Sequence, residues 1–430
     1  MSALIESGKT LALFGSLVMA APLGALANQK LHVEKHIHGS HEECPLPKSS
    51  SDVMDCAVKL HPSSKRARLK VDSIGNLEKK ALQIPNPTFS SRYVKGEHDS
   101  EEVSELETNL SFTLELGGKR SSRQELAKGE INNAIAEKEA VKANVKIETV
   151  LKMHRLRQVL EERKLLEESL VAFKNVLKKL EDLPRLSAEQ EASLTLFELA
   201  LEEAKVHKSE LFEIERELEH FFHVATGHSL DEIAKVLPPA PTSWPSVNDK
   251  EAVDVSPNVK RLESLAQLAQ KEYELQGSNA WPDLKIGPSF SIEKEGGREN
   301  EMLGFNIQLP LPLFQANGGA KAYAKSELLR SQQNIALTKS EEKHERFEKK
   351  RVYESAVSIL QKTMKMSTVE KKHKRIANLY MRGVVSSSVY LDSIKQKLSY
   401  LKRRNMREMT AIKALWAIRF YDGSVLKEKM

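Results

Sequence analysis

Cysteine is almost missing from this 430-residue chain, which holds only Cys44 and Cys56. Two cysteines exclude a disulfide-stapled scaffold and a cysteine-rich metal fold. They leave open a single Cys44–Cys56 bridge or a packed free thiol at Cys56. Proline does not occur between Pro87 and Pro184, nor after Pro312. Glycine is absent from Glu130 to Thr226, and only Gly383 and Gly423 follow Gly319. Both residues are costly inside a helix, so these gaps predict long helices. Beyond the N-terminus no apolar run reaches about 18 residues, which excludes an internal transmembrane helix. It does not exclude a β-barrel, whose lipid-facing residues only alternate. Charge of one sign is also lacking: 66 basic and 60 acidic residues are interspersed and leave +6. With no basic block interleaved with aromatics, nucleic acid is excluded as a partner. There is no Gly-rich phosphate loop, nucleophile motif or HExxH, so neither an enzyme nor a cofactor is expected.

What the chain does contain is charge (29%) and apolar residues (40%) in helical order, with a mean hydropathy of -0.44. In 130–182, Ile135, Val141, Val145, Val150, Leu156, Val159 and Leu160 recur at coiled-coil-like spacing. Residues 1–27 read as a secretory signal, with Lys9 before LALFGSLVMA and Ala25-Leu26-Ala27 before Asn28. The alternative is an N-terminal anchor, since Glu6 weakens the basic start. The segment 28–51 is polar and rich in histidine. Its His32, His36, His38 and His41, with Cys44, are candidate ligands for zinc, copper or nickel. The bland reading is a polar tail.

The chain is written twice. His61-Pro62 and Ser256-Pro257 open helical segments, and Asn86-Pro87 and Trp281-Pro282 open strands, each pair offset by 195 residues. RLSAEQEASL (185–194) and RGVVSSSVYL (382–391) are offset by 197, and FFHVATG and IRFYDG end on glycines offset by 196. Four landmarks in order define an internal repeat. The first unit is 52–240, with a short helix, a hairpin at 88–116 and long helices at 119–183 and 187–226. The second is 241–430, with a helix at 257–278, a hairpin at 283–313 and long helices at 319–381 and 386–421. The strands alternate. Leu110, Phe112, Leu114 and Leu116 oppose Asn109, Ser111, Thr113 and Glu115. Leu284, Ile286 and Phe290 oppose Lys285, Ser289 and Ser291, and Phe305, Ile307 and Leu309 oppose Asn306 and Gln308. Such alternation fits a half-buried soluble sheet or a barrel with one face in lipid. KGEHDSEEVS (95–104) and KEGGRENE (294–301) read as polar connecting loops.

PNPTF at 85–89, LELGGKRSSR at 114–123, LPLPLFQANGGAKAYA at 309–324 and RGVVSSSVYLD at 382–392, in this duplicated order, resemble the TolC-type outer-membrane efflux proteins. They are most similar to the CzcC-like branch that serves cation-exporting pumps. The resemblance spans about 52–423. It implies a mainly α, α+β fold: a long-helix coiled-coil tunnel with two β-hairpins, giving four strands to a twelve-stranded barrel shared by a homotrimer. It also implies an outer-membrane location in a Gram-negative bacterium. The expected partners are a periplasmic adaptor, an inner-membrane RND-type pump and membrane lipid. The function implied is a passive exit duct, for divalent heavy-metal cations in this branch. Drug efflux, type I secretion and a periplasmic coiled-coil structural protein remain the alternatives.

The resemblance also assigns residues. The helix turns would form an adaptor-docking tip from Arg185, Leu186 and Ser187 and from Arg382, Gly383, Val384, Val385 and Ser386. Asp392 matches one position of an acidic gate; Val389 occupies the other, with Glu189 and Glu191 as substitutes. Strand-to-helix bends are expected at Gly117 and Gly118, and at Pro310, Pro312, Gly318 and Gly319. There Gly318 and Gly319 would supply unusual backbone angles, and Ala320, Ala322 and Ala324 would allow close helix approach.

Overall fold

The computed structural model describes residues 44–98, 101–248 and 255–428. The first half begins with α1 (Ser50–Leu60), α2 (Pro62–Ile74) and α3 (Leu77–Ala81). A hairpin follows, β1 (Thr88–His98) and β2 (Glu101–Glu115), then α4 (Lys119–Glu181), α5 (Ala188–Thr226) and the short α6 (Leu230–Ala234). The second half has α7 (Pro257–Ser278), β3 (Asp283–Glu295) and β4 (Arg298–Gln308). It closes with α8 (Gly318–Lys362), α9 (Met366–Met381) and α10 (Ser387–Tyr421). Freed of proline and glycine after Gly129, α4 runs 63 residues, about 95 Å at 1.5 Å per residue. His61 caps α2, its Nδ1 accepting from the Ser63 amide at 3.2 Å, and Ser256 caps α7 in the same way. Gly227 ends α5 with φ 79°, a left-handed turn that suits glycine.

The helices form a bundle in which α5 packs on α4, α4 on α10 and α10 on α8, while α9 packs on α10. Apolar residues of both halves share one core. Phe173, Val176, Leu180, Phe197 and Phe222 from the first half meet Leu391, Ile394 and Trp416 from the second. A buried polar chain also joins them. The Arg157 guanidinium pairs with Glu408, Gln158 Nε2 donates to the Asn405 carbonyl at 3.1 Å, and Asn405 Nδ2 donates to Glu162 at 2.9 Å. Burial pushes the Glu408 carboxyl up, against the pull of Arg157. Cys44 and Cys56 form a disulfide, so of the two readings of Cys56 the bridge is the one found.

Two expectations change here. The helix expected over 319–381 is broken at 363–365, where Thr363 is extended (φ -85°, ψ 156°). The sequence there has no proline or glycine. The break is held from outside: Arg404 donates to the Leu360 carbonyl at 3.3 Å and the Tyr400 hydroxyl donates to the Met364 carbonyl at 2.5 Å. The polar loops expected at 95–104 and 294–301 are instead largely strand, since β1 continues to His98, β2 starts at Glu101 and β4 starts at Arg298. Cross-strand ion pairs carry the ladders onward, Lys95–Glu102 at 2.5 Å and Lys294–Glu299 at 3.0 Å. Only Gly296 and Gly297 turn the second hairpin, with φ 54° and 79°, the pattern of a two-residue type I′ loop.

The four strands form one antiparallel sheet in the order β1-β2-β3-β4. Register places Phe89 opposite Leu110, Tyr93 opposite Leu106, Phe112 opposite Ile286 and Leu114 opposite Leu284. Ile286 faces Ile307, Pro288 faces Phe305 and Phe290 faces Leu303. All these side chains lie on one face. Ser90, Arg92, Asn109, Thr113, Lys285 and Asn306 lie on the other. Close β2–β3 approach requires Gly287, where a Cβ would sit 1.8 Å from the Leu110 carbonyl oxygen.

Candidate transport surface and tip

The apolar face of the sheet is uncovered. Among the described residues no helix packs across it, and Leu303, Phe305 and Ile307 are 84%, 64% and 66% exposed. In β2 the usual order of burial is inverted: Leu110, Phe112 and Leu114 are exposed while Ser111, Thr113 and Glu115 are half-buried. A soluble sheet hides its apolar face; this one shows it. From Leu114 to Leu106 the face measures about 27 Å along the strand, the height of a barrel's apolar band of about 25 Å. Among the described residues no helix is long and apolar enough to cross a membrane.

At the base of the sheet the chain turns into the bundle. Gly117 and Gly118 have φ 70° and 73°. Trp281 packs on Gly117, where a Cβ would meet its ring at 2.5 Å. The junction is tied by Arg123, bidentate to Glu115, and by Lys119–Asp283 at 2.5 Å. The second bend corrects the expectation. Gly318 and Gly319 are not at positive φ; Asn317 is, at 55°. Its side chain holds the turn by donating to the Gln276 carbonyl and Oε1 at 2.9 and 2.8 Å. Asparagine is the non-glycine residue that tolerates this region. Pro310 and Pro312 follow directly after the last paired residue, Gln308. Of the three small residues, Ala324 is buried, while Ala320 and Ala322 are exposed.

At the opposite end lie the two helix turns. Ser187 is the cap of α5: its hydroxyl accepts from the Gln190 amide at 3.3 Å, and Gln190 Oε1 accepts from the Ser187 amide at 2.9 Å. Arg185 is exposed and Leu186 half-buried. After α9, Arg382 is the C-cap and Gly383 (φ 72°) turns the chain. The Gly383 amide donates to the Tyr380 carbonyl and the Val384 amide to the Leu379 carbonyl, both at 2.9 Å. These two bonds make a Schellman cap, which favours glycine at that place. Val384 is 62% exposed, Val385 half-buried, and Ser386 stands at the N-cap position of α10 with its hydroxyl 2.8 Å from that of Ser388. Lys179 approaches Met381 at 3.7 Å, which brings the two turns side by side.

Sequence reasoning missed a ring stack behind this turn. Tyr380 stacks on Tyr390 with centroids 4.7 Å apart, and His373 stacks on Tyr390 at 6.0 Å. His373 Nδ1 and Ser393 Oγ are 2.8 Å apart, and burial holds the imidazole below its ordinary value. The signal was present, in the heptad spacing of His373 and Tyr380. Asp392 and Val389 are exposed on α10, and Glu189 and Glu191 on the first turn of α5. Among the described residues no group of three His, Cys, Asp or Glu is placed to hold a metal. His32, His36, His38 and His41 lie outside the described residues. Cys44, named with them as a candidate ligand, is consumed by its disulfide and offers no thiolate.

Long helices ending in hairpin tips, joined through tight bends to a four-stranded sheet, make the TolC-type channel fold. No family model and no curated protein matches the sequence. Among solved structures, the chain is similar to the outer membrane channel CmeC of Campylobacter jejuni (TM-score 0.64, 16% identity, 88% of this chain and 86% of that one). It is similar to the outer membrane protein VceC of Vibrio cholerae (TM-score 0.62, 13% identity, 87% and 96% covered). It is also similar to the outer membrane channel MtrE of Neisseria gonorrhoeae in its open state (TM-score 0.59, 14% identity, 87% and 89% covered). At such identities the likeness is one of fold.

Proposed function

We propose that this chain is the passive exit duct of a tripartite efflux system, embedded in the outer membrane of a Gram-negative bacterium. The observation that carries the reading is the apolar face of the sheet, exposed on β1, β2 and β4, with β1 and β4 as edge strands. An open edge is not tolerated in lipid, and four strands are too few to close on themselves. Three copies, each pairing β4 with β1 of the next, would supply a twelve-stranded barrel whose polar face lines the lumen. The long helices would then continue the lumen through the periplasm. Trp281 at the base of the apolar face suits a membrane interface. The tip residues Arg185, Leu186, Ser187 and Arg382–Ser386 would meet a periplasmic adaptor. An inner-membrane RND-type pump would supply the energy. Asp392 would contribute one acidic residue per copy to a gate.

The finer reading is export of divalent heavy-metal cations, supported by the likeness of PLPLF and its neighbours to the cation-exporting branch. Fractionation tests the duct: the protein should sediment with outer membranes and run as a heat-modifiable trimer. Release with soluble periplasm would overturn it. Metal export is tested separately, by growth of a deletion strain on zinc, copper and nickel against a panel of drugs. Sensitivity to drugs alone would remove the metal reading.

A further inference from the structure

Charge is evenly mixed along the chain as a whole, but not near the tip. Over 362–382 the sequence KTMKMSTVEKKHKRIANLYMR carries seven Lys and Arg against one acid, Glu370. The expectation of interspersed charge fails for this segment. Over 188–210 on α5 the balance is reversed, with six glutamates against two lysines. The two segments, one on each half of the chain and both next to the tip, thus carry opposite sign.

Their placement gives the opposite signs a meaning. On α9, Val369, His373, Ile376 and Tyr380 are half-buried, while Lys371, Lys374 and Arg375 are exposed. On α5, Ser193, Phe197, Ala200 and Ala204 are buried, while Glu198 and Glu202 are exposed. Between those glutamates and beyond them stand Leu199 and Val206, one heptad apart and 62% and 63% exposed. Among the described residues no helix covers these two positions, which have the spacing of a coiled-coil seam. Among the described residues α5 does not pack closely on α8 or α9, while α10 contacts both α5 and α9. Within one chain no ion pair joins the two faces among the described residues.

We infer that the basic outer face of α9 docks on the acidic outer face of α5 from a second copy of this chain. The inference rests on the trimeric reading above and names the contact that orients the copies at the tip. Depth agrees. Counting back from Arg382, Arg375 and Lys371 lie about 10 and 16 Å from the tip, and counting from Ala188, Glu198 and Glu202 lie about 15 and 21 Å from it. Glu202 pairs with Lys205 within α5 and Lys374 with Glu370 within α9. Such exposed pairs are weak and exchange readily. Rows of charge set orientation more than affinity. Here α5 against α5 and α9 against α9 repel, so only head-to-tail pairing is attractive, and a head-to-tail contact is what closes a ring. Leu199 and Val206 supply the apolar part of the seam.

The test uses purified full-length protein. Thr195 and Asn378 are exposed on the two faces, and the native cysteines are closed in a disulfide. Mild oxidation of the double variant Thr195→Cys/Asn378→Cys should give covalent dimers and trimers, and each single variant none. Adding K371E, K374E and R375E should lower the yield at least tenfold at low salt, while native mass still reports a trimer. Adding E198K and E202K to that variant should restore it. A trimer that gives no covalent ladder, or whose yield ignores charge reversal, overturns the inference and leaves the duct standing. A ladder found only in cells and only with a different protein also overturns it. A monomer by native mass overturns both readings.

Discussion

A single arginine moved along one face of β2 measures whether that face meets lipid, and how deep. Leu110 lies in the middle row of the apolar face, beside Phe89 on β1 and level with the Pro288–Phe305 pair. Leu114 lies at its lower rim, opposite Leu284, about 13 Å away along the strand. Arginine at a bilayer midplane costs a barrel about 2–4 kcal/mol, falling to about 0–1 kcal/mol near the interface. At 1.4 kcal/mol per tenfold, Leu110→Arg should shift the folding equilibrium of each subunit by about 30- to 700-fold. Leu114→Arg should shift it by no more than about fivefold, with Ile307→Arg between. Ser111→Arg and Asn306→Arg, on the polar face, should be nearly neutral. The assay is refolding from urea into lipid vesicles, with folded protein read from heat-modified migration. Equal costs on both faces, or equal costs at Leu110 and Leu114, would refute a lipid-facing sheet.

Three further outcomes are expected. His154 is buried with Nδ1 unpartnered, and burial, aided by Arg157, lowers its pKa to about 4 from 6.5. The unfolded chain then takes up the proton first as pH falls, so stability is full above about pH 6.5 and lost between there and about pH 4, by up to about 3 kcal/mol. Thermal unfolding of His154→Leu should lack this part of the decline; identical profiles would sink the assignment. Gly383→Glu places a side chain at φ 72°, where there is space but backbone strain. It should still reach the outer membrane as a trimer, yet fail to restore efflux in a deletion strain and lose crosslinks from Val385→Cys to an adaptor. Full efflux would free the tip of its proposed role. Asn317→Ala loses both bonds to Gln276 and a tolerated left-handed residue, and should cost about 2 kcal/mol. Asn317→Gly keeps the angle and should cost less in the same melt; the reverse order would refute this account of the bend.

The sequence carried the architecture in its gaps and alternations, because each is a local rule applied over a long span. Proline-free tracts became helices and period-2 runs became strands. The alternation of Leu110, Phe112 and Leu114 was legible, but not whether it faced a core or lipid; that depends on what lies against the sheet. The break at Thr363 was not legible, because Arg404 and Tyr400 impose it from 44 and 36 residues away. Nor were the extra strand residues, which polar pairs such as Lys294–Glu299 hold in the ladder. At the bend, Asn-Gly-Gly invited assignment of the odd angle to glycine, and only the two bonds to Gln276 select Asn317.

The unequal construction of the two halves has a mechanical consequence. In the first, α4 is a single strut whose bending anywhere strains a continuous ladder of hydrogen bonds. In the second, the run is jointed at 363–365, and the carbonyls freed there by Leu360 and Met364 already have donors on α10. Rotation about that joint need not break a helical bond, provided α10 travels with it. Compliance is therefore localised. One arm of the chain is stiff over its whole reach, and the other has an elbow whose tendon is the neighbouring helix.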